Sequence, residues 1–467
     1  MKEHGKSYGH IFAGAGFLLA WGFFQFAYPY HLVRREQLDL FLFDGDYLRQ
    51  TYQGTGWLAR LCGDFLEQFF HLPAVGPLVV ALLLTGIGAV VYRICRHFLG
   101  HWPALGVAAL AFAWSFLRET GGFHLTRYTV AVLGYLSLVL LALQLRRGWR
   151  RPVAATLLLA GGAWALGAPF HPEYGKAWSV PDFRLERVFG LDVEVARERW
   201  DKVLELSETD LSVEEASYCY NLAQAMQGAL GDKLLDHSQN HHFTLLFPVS
   251  SDRSIFTNCL AGEAWFHLGD LTVAEQSSIT ALQASPRHTG ARFLVRLARV
   301  DLVLGEDAAA QKYLDLLSRT LFYGKWARSL QPGRQDDSVR AGLSAARARL
   351  IRRDFVHRAE DPRAVLQELL RADPSNALAR NYLLCYDLLR YDLDAFAEDY
   401  RPDPLPGRLY HEALLIWLSR NGRLNPAEVA RWGADVATVD RMGRFGQNPT
   451  RYKNTYWYYY LQAMQAD

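Results

Sequence analysis

The chain has 467 residues, a formal net charge of +2 and neither a basic tail nor a low-complexity tract, so no nucleic-acid partner is expected. Its composition is divided. Leu, Ala, Gly, Val and Phe dominate up to about residue 170, whereas Arg, Leu, Ala, Asp and Glu dominate after about residue 180. The sequence therefore predicts an all-α protein, with a transmembrane domain over residues 1–172, a linker over 173–190 and a soluble helical-repeat domain over 191–467.

Five apolar runs predict about five membrane-spanning helices. The first begins at Gly9 after a short positive start, is long enough to span a bilayer, and lacks a small-x-small cleavage site, so we expect an uncleaved transmembrane helix. The third run is short for a spanning helix and is expected to need insertion without tilt, local bilayer thinning or a re-entrant path. The five runs cover residues 9–30, 73–94, 103–117, 128–145 and 152–170.

Lysines and arginines in the short loops predict the orientation of these helices, because positive loops stay in the cytoplasm. They place the N-terminus in the cytoplasm. Five spans then place the loop 31–72 and the domain after Phe170 on the opposite side, whereas a third run that does not span would place that domain in the cytoplasm. The positive residues are Lys2, Lys6, Arg93, Arg96, Arg146, Arg147, Arg150 and Arg151.

The second half of the loop 31–72 predicts an amphipathic helix lying on the membrane. Trp57, Leu61, Phe65 and Phe69 recur at helical spacing and form one apolar face, which we expect at the membrane interface. Arg60, Asp64 and Glu67 fall outside that stripe and are expected on the solvated face.

The first half of the same loop holds the candidates for catalysis. Glu36, Asp44 and Asp46 lie close to the membrane surface, and the pair in "DGD" offers two carboxylates to a hard cation. Glycosyltransferases of the GT-C class, which act on polyprenyl-linked sugars, place acids in a similar position. The alternative is that these acids only solvate interfacial helices, and we favour it.

The region after residue 250 resembles a tetratricopeptide repeat. Residues 254–291 contain a small pair, Ala261-Gly262, then Trp265, a turn at Gly269-Asp270, and Pro286 at the end of the second helix. Weaker units follow, and "ADPSNALA" predicts a helix junction capped by Ser375 or Asn376. We therefore expect an α-solenoid whose groove binds a protein partner, with Trp265 as a candidate binding residue.

Few other patterns point to chemistry. Asp236, His237, His241 and His242 lack a third ligand at a recognised metal-site spacing, so they are interpreted as a solvated linker. The five cysteines form no CxxC motif, and no nucleotide-binding or hydrolase signature occurs. We therefore predict no metal and no cofactor.

The C-terminal stretch "TYWYYYLQ" is rich in aromatic residues. Tyr456, Trp457 and Tyr459 are candidates for binding, because aromatic rings can stack on a sugar or dock at a bilayer surface. Closure of the end of the solenoid is the alternative that we favour.

Several of these stretches together resemble a family of uncharacterised Bacteroidetes membrane proteins, domain of unknown function 6057. The resemblance covers essentially the whole chain and implies a Gram-negative inner membrane with the repeat domain in the periplasm. It implies no reaction. The matching residues are His31, Glu36, Gln37, Phe41, Tyr47, Gly56, Phe65, Gln68, Phe69, Glu412, Ala413, Thr455, Tyr456, Trp457 and Tyr459.

The leading hypothesis is a non-enzymatic membrane protein that presents a periplasmic helical-repeat domain to a protein partner during envelope assembly or transport. The competing hypothesis is a membrane enzyme that acts on a lipid-linked sugar through Glu36, Asp44 and Asp46.

Overall fold

The computed structural model describes residues 2–122, 124–145, 151–167, 180–207, 214–285, 287–351, 361–402, 407–434 and 436–466, and every regular element in these ranges is helical. The expected all-α class is therefore confirmed. The chain divides into two compact units. Unit 1 comprises Met1–Phe189, Thr289–Val295 and Gln311–Arg334, and unit 2 comprises Gly190–His288, Arg296–Ala310 and Gln335–Asp467.

Unit 1 contains the long apolar helices and the segment that joins the first two of them. A π-helical turn, Phe23–Ala27, continues the first helix, and a 3-10 turn, Gln68–His71, follows the fourth. The α-helices are α1 Lys2–Gly22, α2 Tyr30–Leu38, α3 Gly45–Thr51, α4 Trp57–Glu67, α5 Val75–Cys95, α6 His101–Glu119, α7 Thr126–Gln144 and α8 Arg151–Leu166, with the first half of α9 Phe183–Ala196.

Helices α1, α5, α6, α7 and α8 pack as an up-and-down bundle. Helix α5 contacts α1, α6 and α7, and α8 packs on α7. The end of α5 meets the start of α6, where the hydroxyl of Tyr92 lies 2.9 Å from Nδ1 of His101. At the other end of the bundle, the hydroxyl of Tyr28 donates to the carbonyl of Thr120 at 3.2 Å.

Three helices in the described part of the chain are long and apolar enough to cross a membrane: Gly9–Ala27, Val75–Cys95 and Thr126–Gln144. The expected number of five is therefore corrected to three. Helix α6 begins with His101 and Trp102 and ends with Arg118 and Glu119, which shortens its apolar part. Helix α8 has 16 residues, about 24 Å, against a hydrocarbon core of about 30 Å. Residues 146–150, which hold most of the positive loop before α8, lie outside the described residues.

Unit 2 consists of shorter helices, with 3-10 turns at Leu234–Asp236, His241–Thr244 and Pro449–Tyr452. The α-helices after α9 are α10 Trp200–Ser207, α11 Glu214–Met226, α12 Leu230–Lys233, α13 Ile255–Leu268, α14 Leu271–Ala284, α15 Ala291–Leu304, α16 Asp307–Ser318, α17 Gly324–Leu330, α18 Asp337–Ala348, α19 Pro362–Ala372, α20 Ala377–Leu389, α21 Leu393–Asp399, α22 Arg408–Arg420, α23 Pro426–Arg431, α24 Val436–Gln447 and α25 Tyr456–Ala466. Of these helices, α15 begins in unit 1, α16 ends in unit 1, and α17 belongs entirely to unit 1.

Helices α13 and α14 form a hairpin, and its turn has a clear local cause. Gly269 ends α13 with φ at +102°, a left-handed conformation that glycine adopts without a steric cost. Asp270 then caps α14 by accepting from the N–H of Val273 at 3.1 Å. At the later junction the cap is Asn376, which accepts from the N–H of Ala379 at 3.0 Å. Pro286 lies outside the described residues.

The predicted linker over residues 173–190 is described by the structure from residue 180 onward. Helix α9 begins inside this range, at Phe183.

All five cysteines have free thiols. Cys219, Cys259 and Cys385 are buried on unit 2 helices, as expected for structural thiols.

Candidate functional site

Helix α4 turns its acids inward and its aromatics outward. Asp64 and Glu67 are each 3% exposed, whereas Phe65 is 36% exposed. The expectation that these two acids lie on a solvated face is therefore wrong. The cause is Gly63, since its missing side chain allows the backbone of α4 to approach Arg127 of α7 closely. An apolar outer face over buried acids suits a helix that meets lipid.

The other residues predicted at the membrane interface follow the same arrangement. Trp57, Leu61 and Phe69 are partly exposed, and with Phe65 they line the outward face of α4 and of the turn after it. The ring of Phe69 lies edge-on to Phe65, with centroids 5.5 Å apart.

Three carboxylates meet beneath this face. Asp39 follows α2, and its ligand atom lies within 4.8 Å of those of Asp64 and Glu67. Among the described residues this is the one group of three or more potential metal ligands. Glu67 accepts from the backbone N–H of Thr126 at 2.8 Å, and Tyr52 donates its hydroxyl to Asp64 at 3.1 Å.

The electrostatics of this group are those of crowded, buried acids. Burial and the charge of Glu67 together raise the pKa of Asp64 to about 7, although the nearby Arg127 opposes both. A proton or a cation is therefore favoured at Asp64 near neutral pH.

A cavity of about 20 Å³ opens beside the three carboxylates, enough for one water molecule or one ion. Glu36, 5% exposed, lies on its wall and accepts from the hydroxyl of Tyr323 at 3.1 Å. Gln68 is 8% exposed, and its Nε2 has no hydrogen-bond partner among the described residues. The lining residues are Glu36, Asp39, Leu40, Phe41, Asp64, Glu67, Gln68, Ala291, Thr320, Phe322 and Tyr323.

Of the three catalytic candidates, only Glu36 reaches this cavity. Asp44 caps α3 by accepting from the N–H groups of Asp46 and Tyr47, and it pairs with Arg319 at 2.8 Å. The Tyr47 N–H and the Arg319 guanidinium hold the pKa of Asp44 below its usual value. Asp46 is exposed.

Asp39 is the carboxylate that no sequence pattern marks. The sequence did contain a signal for the inward position of Asp64 and Glu67. Ala59 and Gly63 lie on the same side of α4, and small residues indicate a helix face that packs closely.

A second buried polar network fixes α2, and with it the position of Asp39. Arg35 pairs with Glu119 at 2.6 Å, and the hydroxyl of Thr129 donates to the same carboxylate at 2.7 Å. His31 lies 2.7 Å from the carbonyl of Gly121. Burial and the nearby Arg35 lower the pKa of His31 to about 3, so its ring is neutral. The network thus joins α2 to the ends of α6 and α7.

Unit 2 contains a much larger cavity, of about 660 Å³. Trp265, the candidate binding residue on α13, lies on its wall and is 5% exposed. Most of the lining is apolar or aromatic, with Ser250, Asp252 and Arg253 as polar groups. The lining residues are His242, Phe243, Leu246, Phe247, Pro248, Val249, Ser250, Asp252, Arg253, Trp265, Val273, Pro362 and Val365.

The C-terminal aromatics are packed inside unit 2. Tyr456 and Trp457 are 1% and 2% exposed. The hydroxyl of Tyr456 donates to the carbonyl of Leu388 at 3.1 Å, and Nε1 of Trp457 donates to that of Glu412 at 2.9 Å. Tyr459 is partly buried and stacks on Tyr391, with centroids 5.0 Å apart. In this structure the three rings hold α25 against α20 and α22.

The fold and the two cavities define an all-helical protein with helices able to cross a membrane, a buried carboxylate group and a large apolar cavity. The chain matches the profile of the family of unknown function DUF6057 over residues 6–175 and 170–463. It belongs to that family. No curated protein and no solved structure matches it.

Proposed function

We propose that the protein is a multi-pass protein of the bacterial inner membrane, in the Bacteroidetes family indicated by the resemblance, and that unit 2 binds an apolar segment of a partner protein. The process it serves is envelope assembly or transport in the periplasm. The observation that carries the proposal is the 660 Å³ cavity lined by Trp265 and other apolar side chains.

The size and lining of this cavity support a binding role. Ligand cavities commonly enclose about 300–1,000 Å³, with mainly apolar walls and a few polar groups that set orientation. Buried tryptophans at such positions often dominate binding energy. Asp252 and Arg253 offer one charge of each sign to the backbone or ends of an extended segment.

The architecture of unit 2 also favours a partner-binding role. We assign it to the tetratricopeptide-like helical repeats, on the basis of the α13–α14 hairpin with its small pair Ala261-Gly262 and its turn at Gly269. Repeats of this kind generally bind peptides or proteins, and this analogy of fold supports a binding role for unit 2.

The membrane orientation is part of the proposal. An odd number of crossings, including the three helices suited to span, would carry the chain to the side opposite its N-terminus. Arg93 in the last turn of α5 and Arg96 just after it favour a cytoplasmic position for that end of the bundle and for the N-terminus.

A membrane enzyme acting on a polyprenyl-linked sugar is the second candidate. The convergence of Glu36 with Asp39, Asp64 and Glu67 favours it. The adjoining cavity of about 20 Å³, however, has room for one ion but not for a sugar ring. We therefore rank this candidate second.

Photo-crosslinking from the cavity wall tests the binding proposal. A photoreactive amino acid replaces Val249, a half-buried lining residue, in the full-length protein in native membranes. The matched control carries the same group at Gln276, which is exposed on α14. We expect a discrete protein adduct from position 249 only.

A blocking variant makes this test specific. Val249→Glu places a charge in the apolar cavity, so the adduct with the partner protein is expected to be lost. Because glutamate then occupies position 249, the photoreactive group is placed at position 243, another lining residue, to probe for the adduct. Ile279→Glu, on an exposed part of α14, is expected to retain it. Equal labelling from positions 249 and 276, or an adduct insensitive to Val249→Glu, would contradict the proposal.

A further inference from the structure

The carboxylate group in unit 1 has the dimensions of a cation shell. The ligand atoms of Asp39, Asp64 and Glu67 lie within 4.8 Å of one another. Calcium binds oxygens at about 2.4 Å, so two oxygens on opposite sides of the ion lie about 4.8 Å apart. Three oxygens within 4.8 Å of one another all lie within about 2.8 Å of a common point, so adjustments of the side chains alone can bring one calcium-sized ion into contact with all three carboxylates.

The burial of the three carboxylates favours a bound cation, rather than solvent, as the partner that balances their negative charge. Asp64 and Glu67 are each 3% exposed, and Asp39 is partly buried. Carboxylates that lie together out of water repel one another, and a bound divalent ion relieves that repulsion. The cavity of about 20 Å³ beside them has room for the ion or for one water molecule on it.

Gln68 supplies independent evidence of a ligand. Its side chain is 8% exposed and lies on the wall of the same cavity. Its Nε2 has no hydrogen-bond partner in the described part of the chain. A buried amide group without a partner costs roughly 1–3 kcal/mol. An oxygen in the cavity would accept from this group, and hard cations keep such oxygens as bound water.

We propose that Asp39, Asp64 and Glu67 bind a divalent cation of the size of calcium, and that Gln68 donates to an oxygen ligand on that cation. The ion would join the end of α2 to α4. The proposal does not depend on partner binding by unit 2, because all of its residues lie in unit 1.

Terbium luminescence in the purified full-length protein tests this site. Terbium replaces calcium in oxygen-ligand sites and emits when a nearby aromatic ring is excited. Tyr52, 3.1 Å from Asp64, is in place to sensitise it. We expect saturable emission that calcium displaces more strongly than magnesium. Absence of emission, or displacement by magnesium in preference to calcium, would overturn the assignment.

Isosteric variants locate the site. Asp64→Asn and Glu67→Gln are each expected to weaken terbium and calcium binding by at least about tenfold. Asp46→Asn, an exposed acid in the same loop, is the matched control and is expected to bind like the wild type. Equal affinity in Asp64→Asn and Asp46→Asn would overturn the proposal.

Gln68→Leu separates a ligand-facing role from a structural one. It removes the unpartnered amide, so the cation-free protein is expected to keep or gain thermal stability while its affinity for calcium falls. This variant also remains informative if an acid variant fails to fold. Unchanged affinity in Gln68→Leu, or a loss of stability with no change in binding, would contradict the role of Gln68.

Discussion

Substitution of Gly63 by alanine tests the close contact that buries the carboxylates. A Cβ at this position would lie 2.4 Å from Cα and 2.5 Å from the backbone nitrogen of Arg127. Ordinary contacts between carbon atoms are about 3.5–4.0 Å. Backbone atoms cannot rotate away, so α4 and α7 must separate by about 1 Å, which also stretches the Glu67–Thr126 hydrogen bond.

The expected loss follows from these distances. Overpacking of this kind costs about 1–3 kcal/mol, and the gain in helix propensity from glycine to alanine returns at most about 1 kcal/mol. A net loss of about 1–2 kcal/mol lowers the melting temperature of a unit of this size by about 2–8 °C.

Thermal unfolding of the detergent-solubilised full-length protein, followed by size-exclusion chromatography after heating, measures this loss. Gly106→Ala is the matched control, because its Cβ on α6 meets no atom within 4 Å, and we expect its stability to stay equal or rise slightly. If Gly63→Ala melts at the same temperature as Gly106→Ala, the close contact is not what holds α4 in place.

Three further predictions concern individual groups. Asp44→Ala removes the cap of α3 and should cost about 1 kcal/mol in denaturant unfolding, whereas Asp46→Ala should be neutral; equal losses would refute the cap. Burial raises the pKa of Glu412 to about 7, above its unfolded value near 4.5, so the folded protein holds a proton that the unfolded chain releases between these values. Wild-type stability should therefore fall by up to about 3 kcal/mol as pH rises from 4.5 to 7, and the melting temperature of Glu412→Gln should change less over that range; parallel curves would contradict this. Tyr456→Phe loses the hydrogen bond to Leu388 and should cost about 1 kcal/mol in denaturant unfolding, and an unchanged midpoint would exclude that bond as a contribution.

Local patterns predicted the features that depend on local physics. Uninterrupted apolar runs predicted the three helices that are suited to span a membrane, since length and hydropathy alone decide that property. Trp265 on a repeat-like hairpin was marked by its spacing, and the cap at Asn376 by its side chain.

The carboxylate group depends on contacts that are distant in sequence, and for that reason the sequence did not reveal it. Asp64 and Glu67 were expected in solvent because they fall outside the apolar stripe of α4, which was expected at the membrane interface. Their burial results from Gly63 meeting Arg127, 64 positions away. The charged residues Arg118 and Glu119 reduce the apolar length of α6. Both are buried, and Glu119 pairs with Arg35, which is distant in sequence.

Membrane topology is the claim on which the functional account depends most. A periplasm-dependent alkaline phosphatase fused after Asp467 of the full-length protein measures it directly, with a fluorescent protein that matures only in the cytoplasm as the complementary fusion. The account predicts an active phosphatase and a dark fluorescent protein. An inactive phosphatase with a bright fluorescent protein would place unit 2 in the cytoplasm and contradict the account.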